Sequence, residues 1–262
     1  MKTYHDVFEG RDGAALIPFF VLGDPDEGYC LELVKTAIDA GADILELGIP
    51  FSDPIADGPT IEKADIRSLQ HGMTCRRALE LIRQIKAYRD IPIGLLMYYN
   101  LIYHYGPEVF YREAAAAGVN SVLVADLPID NADEVAALVR ANGMDTVFMV
   151  SPNIDAEHQG RIARLCTGFV YTVSLLGVTG VRTKLSVAVK PLIQSLKAHT
   201  TVPICVGFGV SSPEHGRQLA QAGADGVIVG SAVVNIIEKN LGQPETAKAE
   251  LAAFIKAMKA VL

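Results

Sequence analysis

No apolar run in this 262-residue chain reaches the roughly 20 residues that a membrane-spanning helix needs; the longest, such as Ala14–Leu22, stop well short. Membrane insertion is therefore excluded. No basic run appears either, and 23 Lys and Arg face 30 Asp and Glu for a net charge of −7. A surface for nucleic acid or anionic membranes is unsupported. A small anionic substrate stays open, because backbone amides bind phosphate without net positive charge. The four cysteines, Cys30, Cys75, Cys166 and Cys205, are too far apart in sequence for a zinc or redox pair. The first residues, Met1 to Asp6, lack the apolar stretch of a signal peptide. A cytoplasmic enzyme with reduced thiols is the expectation. Tryptophan is absent altogether, which by itself excludes nothing. What is present is apolar: 50% of the residues are hydrophobic and 20% charged. That balance excludes disorder. The length suits either two small domains or one large α/β barrel.

One pattern recurs. Ala40-Gly41-Ala42-Asp43 leads into Ile44-Leu45-Glu46-Leu47-Gly48, and Ala117-Gly118-Val119-Asn120 into Ser121-Val122-Leu123-Val124-Ala125-Asp126. Ala222-Gly223-Ala224-Asp225 leads into Gly226-Val227-Ile228-Val229-Gly230-Ser231, with a weaker copy at Asn142-Gly143-Met144-Asp145. A glycine just past the last helical turn takes the left-handed conformation that closes a helix. A strand-length apolar run follows, so each copy reads as a helix-to-strand junction. The copies are spaced by multiples of roughly 35 residues, the size of a βαβ unit. Eight strand-like runs emerge, near Leu16–Val21, Ile44–Gly48, Ile93–Tyr98, Ser121–Asp126, Thr146–Val150, Phe169–Val173, Ile204–Phe208 and Gly226–Val229. Amphipathic stretches separate them, for example Glu27–Asp39, Thr74–Tyr88 and Pro107–Ala117, and a last one lies near Pro244–Val261. Eight alternations predict an α/β fold: a single (β/α)8 TIM barrel with an N-terminal extra helix, one domain over residues 1–262. A doubly wound sheet is the rival, but Leu22-Gly23-Asp24-Pro25 after the first strand is not the Gly-rich dinucleotide fingerprint.

Catalytic groups in such barrels sit at the C-terminal strand ends. In Ile44-Leu45-Glu46-Leu47-Gly48 the faces alternate, so Leu45 and Leu47 suit the outer helices and Glu46 points inward. It is either a buried Glu satisfied by polar neighbours or a general acid/base with a raised pKa. The following loop, Gly48 to Pro59, carries three prolines and two aspartates, Asp53 and Asp57. It is either a surface loop with turn-forming Asp residues or a rigid one that aims a carboxylate back at Glu46. Asp126 stands at another strand end, on the face of Val122 and Val124, as a third site group or as a helix cap. Tyr98 faces the same way as Gly94 and Leu96, as a pocket wall or a hydrogen-bonding group.

Three glycine-rich turns, Gly177-Val178-Thr179-Gly180, Gly207-Phe208-Gly209 and Gly230-Ser231, follow strands six, seven and eight. Those are the usual phosphate-binding positions of a barrel, although glycines also serve plain tight turns. None of the eleven lysines falls in a strand, which disfavours a Schiff base. The six histidines show no metal-ligand spacing. Carboxylate acid/base chemistry on a phosphorylated substrate remains.

These motifs, with Pro18-Phe19-Phe20-Val21-Leu22-Gly23-Asp24-Pro25 and the whole segment from Leu45 to Pro59, closely resemble the tryptophan synthase α subunit family over nearly the entire chain. The resemblance implies a barrel lyase that cleaves indole-3-glycerol phosphate to indole and glyceraldehyde 3-phosphate by a retro-aldol step. It implies Glu46 as the acid/base and Asp57 as the group on the indole N–H. Phe19, Tyr98, Asp126, Tyr171, Thr179, Gly180, Phe208, Gly209, Gly230 and Ser231 would bind substrate, the last glycines and the serine at its phosphate. Asp53, Pro54 and Asn100 would face a β subunit in an α2β2 assembly, which receives the indole. No cofactor or metal is implied in this chain; pyridoxal phosphate is expected in the partner. A stand-alone lyase that releases free indole would share the same site residues. Two departures stand out: Leu175, where many members carry an arginine, and Leu101, where many carry a proline.

Overall fold

The computed structural model describes residues 1–173, 189–207 and 209–262. Among them run eight strands: β1 (Ala15–Val21), β2 (Leu45–Gly48), β3 (Ile93–Met97), β4 (Ser121–Val124), β5 (Val147–Val150), β6 (Phe169–Val173), β7 (Ile204–Gly207) and β8 (Gly226–Val229). The helices are α1 (Tyr4–Phe8), α2 (Glu27–Ala40), α3 (Pro59–Gln70), α4 (Cys75–Tyr88), α5 (Tyr99–Tyr105), α6 (Pro107–Ala117), α7 (Ala132–Ala141), α8 (Ala156–Leu165), α9 (Val189–Lys197), α10 (Pro213–Gln221), α11 (Ser231–Lys239) and α12 (Pro244–Lys259). The strands pair in parallel in the order β4-β3-β2-β1-β8-β7-β6-β5. A lone parallel bridge, Ser121 to Asp145, joins the two ends. The ring is thus a nearly closed barrel, as the repeat predicts. The repeated glycines do close helices: Gly41, Gly118 and Gly223 have φ of 113°, 92° and 97°.

Alternation along the strands makes two apolar layers. Leu16, Phe20, Leu45 and Leu47 join the large outer core against the helices. Ala15, Ile17, Leu123, Val147, Phe169, Tyr171, Cys205 and Ile228 come from six different strands and form one cluster, which only the barrel lumen can hold. Helix α1 seals the lower end. Thr3 and Asp6 cap it reciprocally, and Tyr4 enters the lumen, where its hydroxyl meets Ser121 Oγ at 2.6 Å. Its ring lies edge-on to Phe169 at 5.2 Å.

Helices α3, α5 and α11 have no counterpart in the sequence reading. Each begins within a few residues of a strand end or site loop, so no long spacer announces it. α3 starts with Pro59 at its first turn, directly after the Asp57 loop, and is pinned hard. Arg67 clasps the buried Asp24 through two hydrogen bonds of 2.6 and 2.9 Å. Ser68 donates to the Leu22 carbonyl at 2.6 Å. Lys63 reaches Glu238 of α11 at 3.0 Å.

Arg67→Ala strands the Asp24 carboxylate, which is 1% exposed. The expected cost is about 2–4 kcal/mol in urea unfolding at pH 8. The cost should shrink as pH falls, because burial favours the neutral form of Asp24, which needs no cation. The exposed Lys63 pair should cost under about 1 kcal/mol. Equal losses for the two variants would contradict this account.

Candidate functional site

Strand β2 is four residues long and wholly buried. Its pleat turns Leu45 and Leu47 outward and leaves Glu46 on the lumen face. There Glu46 is level with Phe19 of β1 and Gly94 of β3. It is 5% exposed, and among the described residues no ion pair offsets its charge. Burial, followed by the negative charge of Asp57, pushes its carboxyl up to about 8. Near neutral pH Glu46 therefore holds a proton, which is the state a general acid needs.

Asp57 comes from the loop between β2 and α3. The Tyr98 hydroxyl, at the end of β3, donates to Asp57 Oδ2 at 2.8 Å and accepts the Ala56 N–H at 3.0 Å. The Phe51 ring stacks on Tyr98, with centroids 5.0 Å apart. Burial raises the Asp57 pKa, and the Tyr98 hydrogen bond opposes the rise by favouring the anion. Of the two sequence readings of Tyr98, a pocket wall or a hydrogen-bonding group, the hydrogen bonds are the part the structure displays. The two carboxyls are set apart by environment: one dry and without a cation, the other held by a hydroxyl.

Phe19 packs against Gly48, where a Cβ would lie 2.7 Å from the ring's Cζ. Its other side borders Gly230, the N-cap of α11, which no side chain caps. The Val233 and Val234 N–H groups bond to the Gly230 carbonyl, whereas those of Ser231 and Ala232 meet no acceptor among the described residues. Gly209, after β7, has φ of 73°, which favours glycine. Tyr171 is buried in the lumen, level with Cys205, and burial together with the Glu46 charge raises its hydroxyl pKa. Thr179, Gly180 and Phe208 lie outside the described residues, as does Leu175.

Asp126 accepts the Tyr99 N–H at 2.8 Å, so its carboxylate holds the start of α5. Val122 and Val124 face the helices, and Asp126 stands in the turn just beyond the end of β4. Asp53 and Asn100 are exposed and Pro54 half-buried, with Ile55 and Tyr103 beside them exposed by 82% and 66%. Among the described residues no group of three or more His, Cys, Asp or Glu is arranged to hold a metal ion. All four cysteines are free.

Asp65 of α3 went unread in the sequence. It is 4% exposed and lies beside Asp57, whose charge adds to burial in pushing it up to about 8. The signal was spacing: Ile61, Ala64 and Ser68 form the buried stripe of α3, and Asp65 falls within it.

A family model described as the tryptophan synthase alpha chain matches residues 7–262. A protein named tryptophan synthase alpha chain from Methanothermobacter thermautotrophicus is 49% identical, over 93% of this chain and 90% of its own. One of the same name from Methanoregula boonei is 44% identical, over 99% and 98%. A solved structure of the tryptophan synthase α2β2 complex from the hyperthermophile Pyrococcus furiosus includes a chain with a TM-score of 0.88 and 40% identity, covering 95% of this chain and 99% of that one. With the match running from the first helix to the last residue, the chain belongs to the tryptophan synthase alpha chain family.

Proposed function

We propose that this chain, acting as one barrel over residues 1–262, cleaves indole-3-glycerol phosphate to indole and glyceraldehyde 3-phosphate. The observation that carries the reading is the pair of unlike carboxyls, a protonated Glu46 and a hydroxyl-anchored Asp57, at one barrel mouth. Glu46 gives its proton to C3 of the indole ring, and Asp57 stabilises the N–H that becomes positive. The Glu46 carboxylate then takes the proton of the side-chain hydroxyl next to the ring. The bond from C3 to that carbon breaks, the hydroxyl carbon becomes the aldehyde, and the bond's electron pair restores the indole ring. The protonated ring is the electron sink, so the step asks for no imine, metal or cofactor of this chain.

Phe19, Tyr98 and Tyr171 are the indole walls in this reading, and Asp126 supports that wall by holding α5. Gly209, Gly230 and Ser231 receive the phosphate at the uncapped start of α11, with Thr179, Gly180 and Phe208 completing the mouth. Asp53, Pro54 and Asn100, next to the exposed Ile55 and Tyr103, face a β subunit that carries pyridoxal phosphate in an α2β2 assembly. The enzyme works in the cytoplasm; no helix among the described residues is long and apolar enough to cross a membrane.

The test is release of glyceraldehyde 3-phosphate from indole-3-glycerol phosphate, read with a coupled dehydrogenase, by the purified chain alone and mixed with a β subunit. A rate that rises with the partner is expected. No product under either condition overturns the activity. A high rate unaffected by the partner overturns the assembly.

A further inference from the structure

Two helices leave the barrel mouth side by side. Helix α3 begins at Pro59, two residues after Asp57, and α11 begins at Ser231, in the seat proposed for phosphate. Each starts on a glycine that no side chain caps, Gly58 or Gly230. Rungs of side chains tie the pair together. In the first turn of α3 the Thr60 hydroxyl donates to Asn235 Oδ1 of α11 at 3.4 Å. One turn further, Lys63 meets Glu238 at 3.0 Å, and Arg67 approaches the same carboxylate at 3.9 Å. The rungs climb in one sense along both helices, so α3 and α11 run parallel away from the mouth.

Between the two helices and β1 lies a small apolar cluster of its own, separate from the lumen and the outer core: Ile61 and Ala64 of α3, Val234 of α11, Phe19 and Val21. Phe19 borders both helix starts. A Cβ on Gly230 would lie 3.7 Å from its ring, and Gly48, where β2 gives way to the Asp57 loop, touches its tip. The rungs add little stability, because the Thr60 bond is long and Lys63 is exposed. What polar partners on packed helices do fix is register, since an apolar seam alone allows sliding. Register matters here. A substrate held by its phosphate at α11 meets Asp57 with its ring, and a misplacement of about 1 Å can cost on the order of 10²-fold in rate.

We propose that Thr60, Asn235 and Glu238 are positioning residues, which register the phosphate seat on α11 against Asp57 at the head of α3. This rests on the lyase reading of Asp57 and of the α11 start. None of the three touches the substrate in that reading; each acts through the helix it stands on. Binding of the remote phosphate is thereby converted into rate, because the ring N–H is delivered to the carboxylate in one alignment.

The experiment sets the double variant Thr60→Val/Glu238→Ala against the parent chain on two substrates, indole-3-glycerol phosphate and its unphosphorylated form, indole-3-glycerol. On the phosphorylated substrate kcat should fall at least about tenfold, in the range of positioning effects, with KM changed far less. Indole-3-glycerol has no phosphate to register, so its kcat should stay near the parent's. Glycerol phosphate, titrated by calorimetry, should bind both proteins alike. Thr60→Ser keeps the hydroxyl and should stay near parental on both substrates. Circular dichroism checks the fold. Equal falls in kcat on the two substrates overturn the proposal, because a merely loosened barrel harms both alike. So does a folded double variant with parental kcat, or glycerol phosphate binding that weakens in step with kcat. Should the double variant not fold, Thr60→Val is compared with Thr60→Ser, and equal kcat values overturn the role. Should the parent turn over indole-3-glycerol too slowly to read, the split between kcat and glycerol phosphate affinity decides in the same way. If the parent has no activity on indole-3-glycerol phosphate, the lyase reading has failed instead.

Discussion

Glu46→Gln is expected to lower turnover of indole-3-glycerol phosphate by about 10²–10⁴-fold, the range for a lost general acid/base. Glutamine keeps the shape but can neither give the proton to C3 nor accept the one from the hydroxyl. KM should move little, because the phosphate end of the substrate is held elsewhere. Stability should move the opposite way from activity. The Glu46 carboxyl titrates near 8 in the fold and near its ordinary 4.5 in the unfolded chain. Between those values the native state keeps a proton that the unfolded state releases, so stability falls as pH rises through that window. A neutral glutamine removes the penalty. At pH 8 the variant should be more stable by about 2–4 kcal/mol and melt several degrees higher. Kinetics and calorimetry on the same preparation check both halves. An inactive but destabilised variant would make Glu46 structural, and an active one would remove it from the mechanism. The parent's rate should itself decline above about pH 8, where the acid form of Glu46 is lost.

The barrel was legible because its signal is local and repeated. A helix-closing glycine followed by a four-residue apolar run needs no tertiary information, and Gly41, Gly118 and Gly223 stand where that reasoning puts them. The inward turn of Glu46 followed from alternation alone. At Asp126 alternation gives two faces without saying which is the lumen, and the carboxylate accepts the N–H of Tyr99 at the start of α5. Val122 and Val124 pack on the helices, and β4 ends at Val124, before Asp126. Partners are what the chain order hides. The Arg67 clasp joins residues 43 positions apart, the Tyr98 hold on Asp57 spans 41, and Tyr4 crosses 117 positions to reach Ser121. No spacing rule reports such pairs. Asp65 was hidden differently: α3 follows the Asp57 loop without a break, so its stripe was never read as a helix face.

Asp57→Asn is expected to be the second severe loss, about 10²–10³-fold in kcat, the scale for removing one preorganised electrostatic contact. Asparagine still offers an oxygen to the Tyr98 hydroxyl, so the 2.8 Å hydrogen bond and the loop geometry have a substitute. What it lacks is the negative charge that steadies the indole N–H as C3 takes a proton. Tyr98→Phe is the matched control. It keeps the charge and removes the hydroxyl that bonds Asp57 and Ala56, so a smaller loss, about 5–20-fold, is expected from one hydrogen-bonding group. A Tyr98→Phe loss as large as that of Asp57→Asn would mean that geometry, not charge, is what Asp57 supplies. The residual activity of Asp57→Asn carries further information. Asp57 is the second cause, after burial, of the raised Glu46 pKa. Without its charge Glu46 releases its proton more readily, and the alkaline fall in rate should move to lower pH. The same variant thus weakens the group on the ring nitrogen and shortens the pH range over which the acid at C3 stays protonated. A pH profile that keeps its alkaline limb in place would separate the two carboxyls electrostatically and leave burial as the whole reason that Glu46 is an acid at neutral pH.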